Sequence, residues 1–124
     1  MKKIQLLLAF LIGISTISFS QVVKKGGTET ATIKTPTVQC EECKKRIESY
    51  VSREDGVLKV VVDYKRKITK VTYVTDRINY EGVKTAIANA GYDADDVTAN
   101  TDSYNKLPSC CKKPADGGSK EKKE

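Results

Sequence analysis

The chain contains no histidine, and that absence removes more chemistry than any other feature of its composition. Without imidazole no side chain titrates near neutrality as a general base, and any metal site is left to sulfur and oxygen donors. Hydrolysis or group transfer would need a carboxylate or lysine base, and none stands in a recognisable pair, so the chain is read as a non-enzyme. Tryptophan is also absent. The apolar stretch from Leu6 to Ile14 falls short of the ~20 residues that span a bilayer and is broken by Gly13, Ser15 and Thr16. There is no basic stripe either. The 22 Lys and Arg outnumber the 16 Asp and Glu, for a net charge of +6, but acidic residues such as Glu48, Asp55 and Asp63 interleave with them. A nucleic-acid footprint needs a basic face with aromatics between, so no nucleic-acid partner is expected. No internal repeat at solenoid spacing is visible.

What is present begins with an export signal. Lys2 and Lys3 precede the apolar stretch, and Ser18 and Ser20 supply small residues for a signal peptidase, so residues 1–20 read as a signal peptide with the mature chain starting near Gln21. The first cysteine, Cys40, lies too far downstream for lipidation at the cleavage site. The expected product is a periplasmic or secreted monomer with no stable membrane insertion. Loss of Lys2 and Lys3 leaves 20 basic against 16 acidic residues, or +4. About 104 residues suffice for one small domain. Residues 21–29 read as a flexible lead-in, 30–99 as the domain, and 100–124 as a charged flexible tail, with Lys112 to Glu124 expected to be disordered.

Alternation from Thr30 to Thr35 turns Ala31, Ile33 and Thr35 to one side, and Pro36 ends this strand. A helix follows from about Glu41 to Ser52, with Cys43, Ile47, Tyr50 and Val51 on one stripe, and Gly56 marks its exit. Val57 to Asp63 and Ile68 to Val74 read as antiparallel strands joined at Lys65-Arg66-Lys67. Asn79 caps a second helix with Tyr80, Val83, Ile87 and Ala90 on one face and Gly91 just beyond its end. Tyr92 to Thr98, interrupted by three aspartates, is the last strand candidate. The order βαββαβ predicts an α+β, ferredoxin-like fold, a four-stranded antiparallel sheet with two helices on one face. Its expected core is Ile33, Val38, Ile47, Val51, Val60, Val62, Val71, Tyr73, Val83 and Ile87.

Four cysteines fall into two local clusters, Cys40 with Cys43 and Cys110 with Cys111. A bridge within either cluster closes almost no loop, which argues against a disulfide framework. Cys40-Glu41-Glu42-Cys43 stands at a helix entrance, where the positive end of the helix favours thiolate, the form that binds metal. Two sulfurs suit a low-coordinate soft ion such as copper(I), whereas structural zinc usually takes four donors. Such an open site lets a partner's thiols enter and take the ion.

The segment from Ala31 to about Val97 resembles the heavy-metal-associated domain family of copper chaperones, metal-pumping ATPase modules and exported mercury-binding proteins. Thr37-Val38-Gln39-Cys40-Glu41-Glu42-Cys43 stands at the family's Gly-Met-Thr-Cys-x-x-Cys loop, after a matching Pro36. Asp55-Gly56-Val57, Val60-Val61-Val62-Asp63, Val71-Thr72-Tyr73 and Ala86-Ile87-Ala88-Asn89-Ala90-Gly91-Tyr92 match further landmarks. The resemblance implies one soft metal ion, copper(I), mercury(II) or zinc or cadmium(II), bound by Cys40 and Cys43. It also implies a metal-transporting membrane protein or another metal-binding protein as donor or acceptor. Val38 replaces the family's methionine, Thr37 its glycine and Gln39 its threonine. Glu41 and Glu42 either add negative charge that favours a divalent ion or point to solvent at the helix start. Tyr92 is similar in position to an aromatic that shields the metal loop in bacterial relatives, or is ordinary core.

Cys110 and Cys111 have no counterpart in the family pattern. Eleven extended residues from Asn100 reach ~36 Å, enough to bring both back as additional ligands; a vicinal disulfide, a link to another chain or a docking pair are the alternatives. A thiol-disulfide oxidoreductase is the competing class, but the chain has no tryptophan before Cys40 and no Gly-Pro between the cysteines.

Overall fold

The computed structural model describes residues 27–117. The expected signal peptide and most of the lead-in lie outside the described residues, as do residues 118–124. In chain order the elements are β1 (Thr28–Lys34), α1 (Glu41–Val51), β2 (Val57–Asp63), β3 (Ile68–Val74), α2 (Tyr80–Asn89) and a short α3 (Thr101–Asn105). Two 3-10 turns follow, Ser109–Cys111 and Pro114–Asp116.

The strands form a sheet in the order β1-β3-β2, antiparallel throughout. β1 runs in unbroken register against β3, from Thr28 opposite Val74 to Lys34 opposite Ile68. β2 pairs with the other edge of β3, with one register shift between Val57 and Lys59. In the connecting turn Asp63 accepts from the Arg66 amide at 3.0 Å, and Lys67 takes a φ of 59°. A short carboxylate side chain at the end of β2 thus satisfies a turn amide.

Both helices bury most of their stripes against one face of the sheet, but Tyr50 and Tyr80, expected on those stripes, are exposed, the Tyr80 hydroxyl donating to Asp95. Cys43, Ile47 and Val51 from α1 and Val83, Ala86 and Ile87 from α2 meet Ala31, Ile33, Val62, Val71 and Tyr73 in a single core. Nine of the ten expected core residues are buried; Val60 is half-buried at its margin. Asn79 caps α2, its side chain accepting from the Gly82 amide at 2.7 Å. Gly91 leaves α2 with a φ of +104°.

The expected fourth strand is not formed among the described residues. Between Tyr92 and Thr98 only an isolated bridge joins Ala94 to Val97. The three aspartates are the cause, because their side chains take up partners of their own, two of them backbone amides, in place of a ladder. Asp95, at a φ of 50°, donates its amide to the Lys34 carbonyl at 2.8 Å, and its carboxylate receives the Lys34 amide at 2.7 Å. A side chain thus stands where a strand carbonyl would pair with the end of β1. Asp93 receives the Ala99 amide at 2.8 Å, and Asp96 pairs with the buried ammonium of Lys84.

The segment after Ala99 also differs from expectation. Residues 101–117 form helical turns that pack on the domain, with Leu107 and Cys111 joining the core. The Asn100 amide donates to the Ala88 carbonyl at 2.9 Å, and the Tyr104 hydroxyl donates to Asp116 at 2.6 Å. A Cβ on Gly91 would lie 3.1 Å from the Ser103 carbonyl oxygen and 3.2 Å from both methyls of Leu107. Gly91 therefore both turns the chain and makes room for the returning tail.

Ile47→Ala should lower stability by about 2–5 kcal/mol in urea unfolding, as expected for a fully buried aliphatic side chain. Gly91→Ala should lower it by roughly 1–3 kcal/mol, with faster hydrogen exchange in residues 100–111.

Candidate metal centre

The centre is built on a loop whose backbone is pinned from below. At the end of β1 the Thr35 amide donates to the Lys67 carbonyl at 2.9 Å, and the buried hydroxyls of Thr35 and Thr69 meet at 3.0 Å. The Val38 amide then closes a turn onto the Thr35 carbonyl at 3.2 Å, and the Lys67 ammonium donates to the Val38 carbonyl. Val38 is fully buried. A valine fills the space beneath the loop, so replacing the family's methionine leaves the loop anchored.

This anchored loop delivers Cys40 to the N-cap of α1 in extended conformation, with no hydrogen bond from its side chain to the helix. Cys43 lies in the first turn and is fully buried. The two sulfurs stand 3.2 Å apart. Glu41 and Glu42 are exposed, and Glu42 sits 3.5 Å from Arg46 along the helix. They face solvent at the helix start, where negative charge complements the dipole.

The tail brings the second cysteine pair to the same place. The Gln39 amide group donates to the Lys112 carbonyl at 2.5 Å, and the Asp93 amide donates to Thr37 at 3.1 Å. Lys113 reaches Asp93 at 3.7 Å. Cys110 and Cys111 are held over α1 with their sulfurs 3.9 Å apart, and the sulfurs of Cys40, Cys110 and Cys111 all lie within 4.8 Å of one another. Cys43 and Cys111 are joined as a disulfide, with Cα atoms 5.6 Å apart and a sequence separation of 68. Cys40 and Cys110 are free thiols. Local spacing argued against a structural bridge, but this bond links the two clusters. A loop of that length restrains the unfolded chain by roughly 4 kcal/mol in the chain-entropy account.

Burial, reinforced by the neighbouring Cys40 sulfur, pushes the Cys110 thiol above its ordinary range. Tyr92 is fully buried in the core that Cys43 and Cys111 also join, and burial raises its phenol well above the usual value. Its hydroxyl is the one buried side-chain oxygen or nitrogen among the described residues without a hydrogen-bond partner. An orphaned buried hydroxyl costs about 1–3 kcal/mol, so it stands out beside the sulfurs. The sequence placed Tyr92 near the loop but left its hydroxyl unremarked, as it did the clasp between Gln39 and Lys112. Only a lone leucine, Leu107, in a polar tail hinted at the docking.

Two helices over an antiparallel sheet, with paired cysteines where the first strand passes into the first helix, define a ferredoxin-like metal-binding domain. The family model described as "Heavy-metal-associated domain" matches residues 32–93, and the chain belongs to that family. Among its relatives is the "Mercuric transport protein periplasmic component" of Shewanella putrefaciens, 33% identical over 52% of this chain and 70% of that protein. The "Copper chaperone CopZ" of Staphylococcus haemolyticus is 32% identical over 45% of this chain and 82% of its own length. The crystal structure of oxidized MerP from Ralstonia metallidurans is 28% identical, with a TM-score of 0.52 over 55% of this chain and 94% of that one. The family match ends before Cys110 and Cys111.

Two measurements check this arrangement. Non-reducing peptide mapping should link the Cys43 peptide to the tail, and the link should survive Cys110→Ser but not Cys111→Ser. Tyr92→Phe should leave the metal-free protein as stable or up to about 1 kcal/mol more stable in urea, because it deletes an unpaired hydroxyl.

Proposed function

We propose that this protein is an exported carrier or scavenger of a single soft metal ion, gripped first by Cys40 and Cys43 and passed to another thiol-bearing protein. The observation that carries the reading is the sulfur pair 3.2 Å apart at the start of α1, on a loop anchored by buried Val38. Thiolates at a helix N-terminus are favoured by its dipole, and sulfur donors select polarisable ions such as copper(I), mercury(II), zinc(II) or cadmium(II). The relatives named for mercuric transport and copper chaperoning support the same class of cargo. A metal-transporting membrane protein or a second metal-binding protein would be donor or recipient. Exchange between proteins proceeds by stepwise replacement of one thiolate by another, which requires one sulfur to stay reachable. Cys40, half-exposed beside buried Cys43, is the sulfur an incoming thiol would meet first.

Export rests on the reading of residues 1–20 and on the periplasmic relative. No helix among the described residues is long and apolar enough to cross a membrane. The Cys43–Cys111 bond must be reduced before Cys43 can bind an ion, so the reduced protein is the metal-binding form.

Native mass spectrometry of reduced protein offered copper(I), zinc, cadmium and mercury in competition should show one ion per chain, with retention weakened in Cys40→Ser. Equal retention by Cys40→Ser, or no ion bound at all, would contradict the reading.

A further inference from the structure

We propose that Cys110 and Cys111 complete, with Cys40 and Cys43, one closed four-thiolate site for a tetrahedral divalent ion of the zinc and cadmium class. This deepens the function proposed above and rests on it, since Cys40 and Cys43 remain the first two ligands.

The sulfur positions carry the argument. With zinc to thiolate distances of about 2.3 Å, the edge of a regular tetrahedron of four sulfurs is about 3.8 Å. The separations observed are 3.2 Å for Cys40 to Cys43 and 3.9 Å for Cys110 to Cys111, and Cys40, Cys110 and Cys111 lie mutually within 4.8 Å. Opening the bond between Cys43 and Cys111 lets that edge lengthen toward the same value.

The tail does not depend on the disulfide for its place. Leu107 is in the core, Gln39 holds the Lys112 carbonyl, and Tyr104 ties the two tail turns together by accepting from the Lys113 amide at 2.8 Å while donating to Asp116. Both tail sulfurs therefore stay at the loop once reduced. The fully buried Tyr92, whose hydroxyl lacks a hydrogen-bond partner, belongs to the same core as Cys43 and Cys111, with Cys40 and Cys110 packed against it.

Formation of the site balances as two steps. A dithiol reductant gives two electrons and two protons to the Cys43–Cys111 disulfide and is itself oxidised to a disulfide, leaving four thiols. A divalent ion then binds as four thiol protons leave to solvent, giving a complex with two negative charges. Four sulfurs exclude the open coordination position that a two-sulfur loop keeps, so the tail favours tetrahedral divalent ions over copper(I) and slows release.

X-ray absorption on the reduced full chain loaded with one zinc tests this directly. The expected result is four sulfur neighbours at about 2.3 Å. Cys110→Ser/Cys111→Ser should show two sulfurs, with zinc affinity lower by at least the roughly 100-fold that loss of an outer-shell partner can cost, and with copper(I) binding retained. Two sulfurs around zinc in the unaltered chain would overturn the proposal without reference to any variant. So would a double variant matching the unaltered chain in sulfur count and affinity. If Cys40→Ser/Cys43→Ser kept copper(I) and zinc binding unchanged, the proposed function would fall as well. If it abolished copper(I) binding while the tail variant behaved as unaltered, only the four-thiolate site would fall.

Discussion

The anchoring of the loop between β1 and α1 is the constraint on which the rest of the site depends. Thr35 paired with Thr69 and Val38 buried beneath the turn fix where the backbone enters α1. With the entry fixed, the N-cap position of Cys40 and the first-turn position of Cys43 follow from helix geometry, and so does the 3.2 Å between their sulfurs. Buried hydroxyl pairs and buried aliphatic side chains resist displacement because moving either leaves a polar group unpaired or a void. The core contributes to function in this indirect way, by holding two sulfurs where a soft ion could be gripped.

The tail adds a second layer to the domain that the family match does not include. Residues 32–93 carry the family pattern, yet the chain continues through α3 into a tight turn that lays Cys110 and Cys111 over the same loop. The backbone of the tail is tied at Ala88 and Gln39, and Gly91 leaves the space that Leu107 enters. An open cysteine loop is thereby covered by part of its own chain. In the proposed account this covering segment acts as ligand donor, and the Cys43–Cys111 bond holds the protein in a state that must be reduced before an ion can enter.

The bounds of β2 and β3 were legible because Val57–Asp63 and Ile68–Val74 are valine-rich runs flanking a charged turn. The stripe of α1 and the Asn79 cap of α2 were equally plain, since capping and helical periodicity are local properties. The fourth strand was not legible as absent. Three aspartates interrupt its pattern, and only the three-dimensional partners of Asp93, Asp95 and Asp96 show why the ladder is replaced by side-chain contacts. The tail escaped for a similar reason. Its composition is polar, and its order depends on Gln39 and Ala88, residues outside the tail. The disulfide escaped because the spacing argument weighed closure within each cluster and not between them.

The central claim is that one soft ion is held by sulfurs gathered at the start of α1. A cadmium-113 to proton correlation spectrum of the reduced protein reads the ligands residue by residue through the metal to sulfur bonds. The account expects cross-peaks from a single cadmium resonance to the β-protons of Cys40 and Cys43. A cadmium resonance with no coupling to either residue would contradict it.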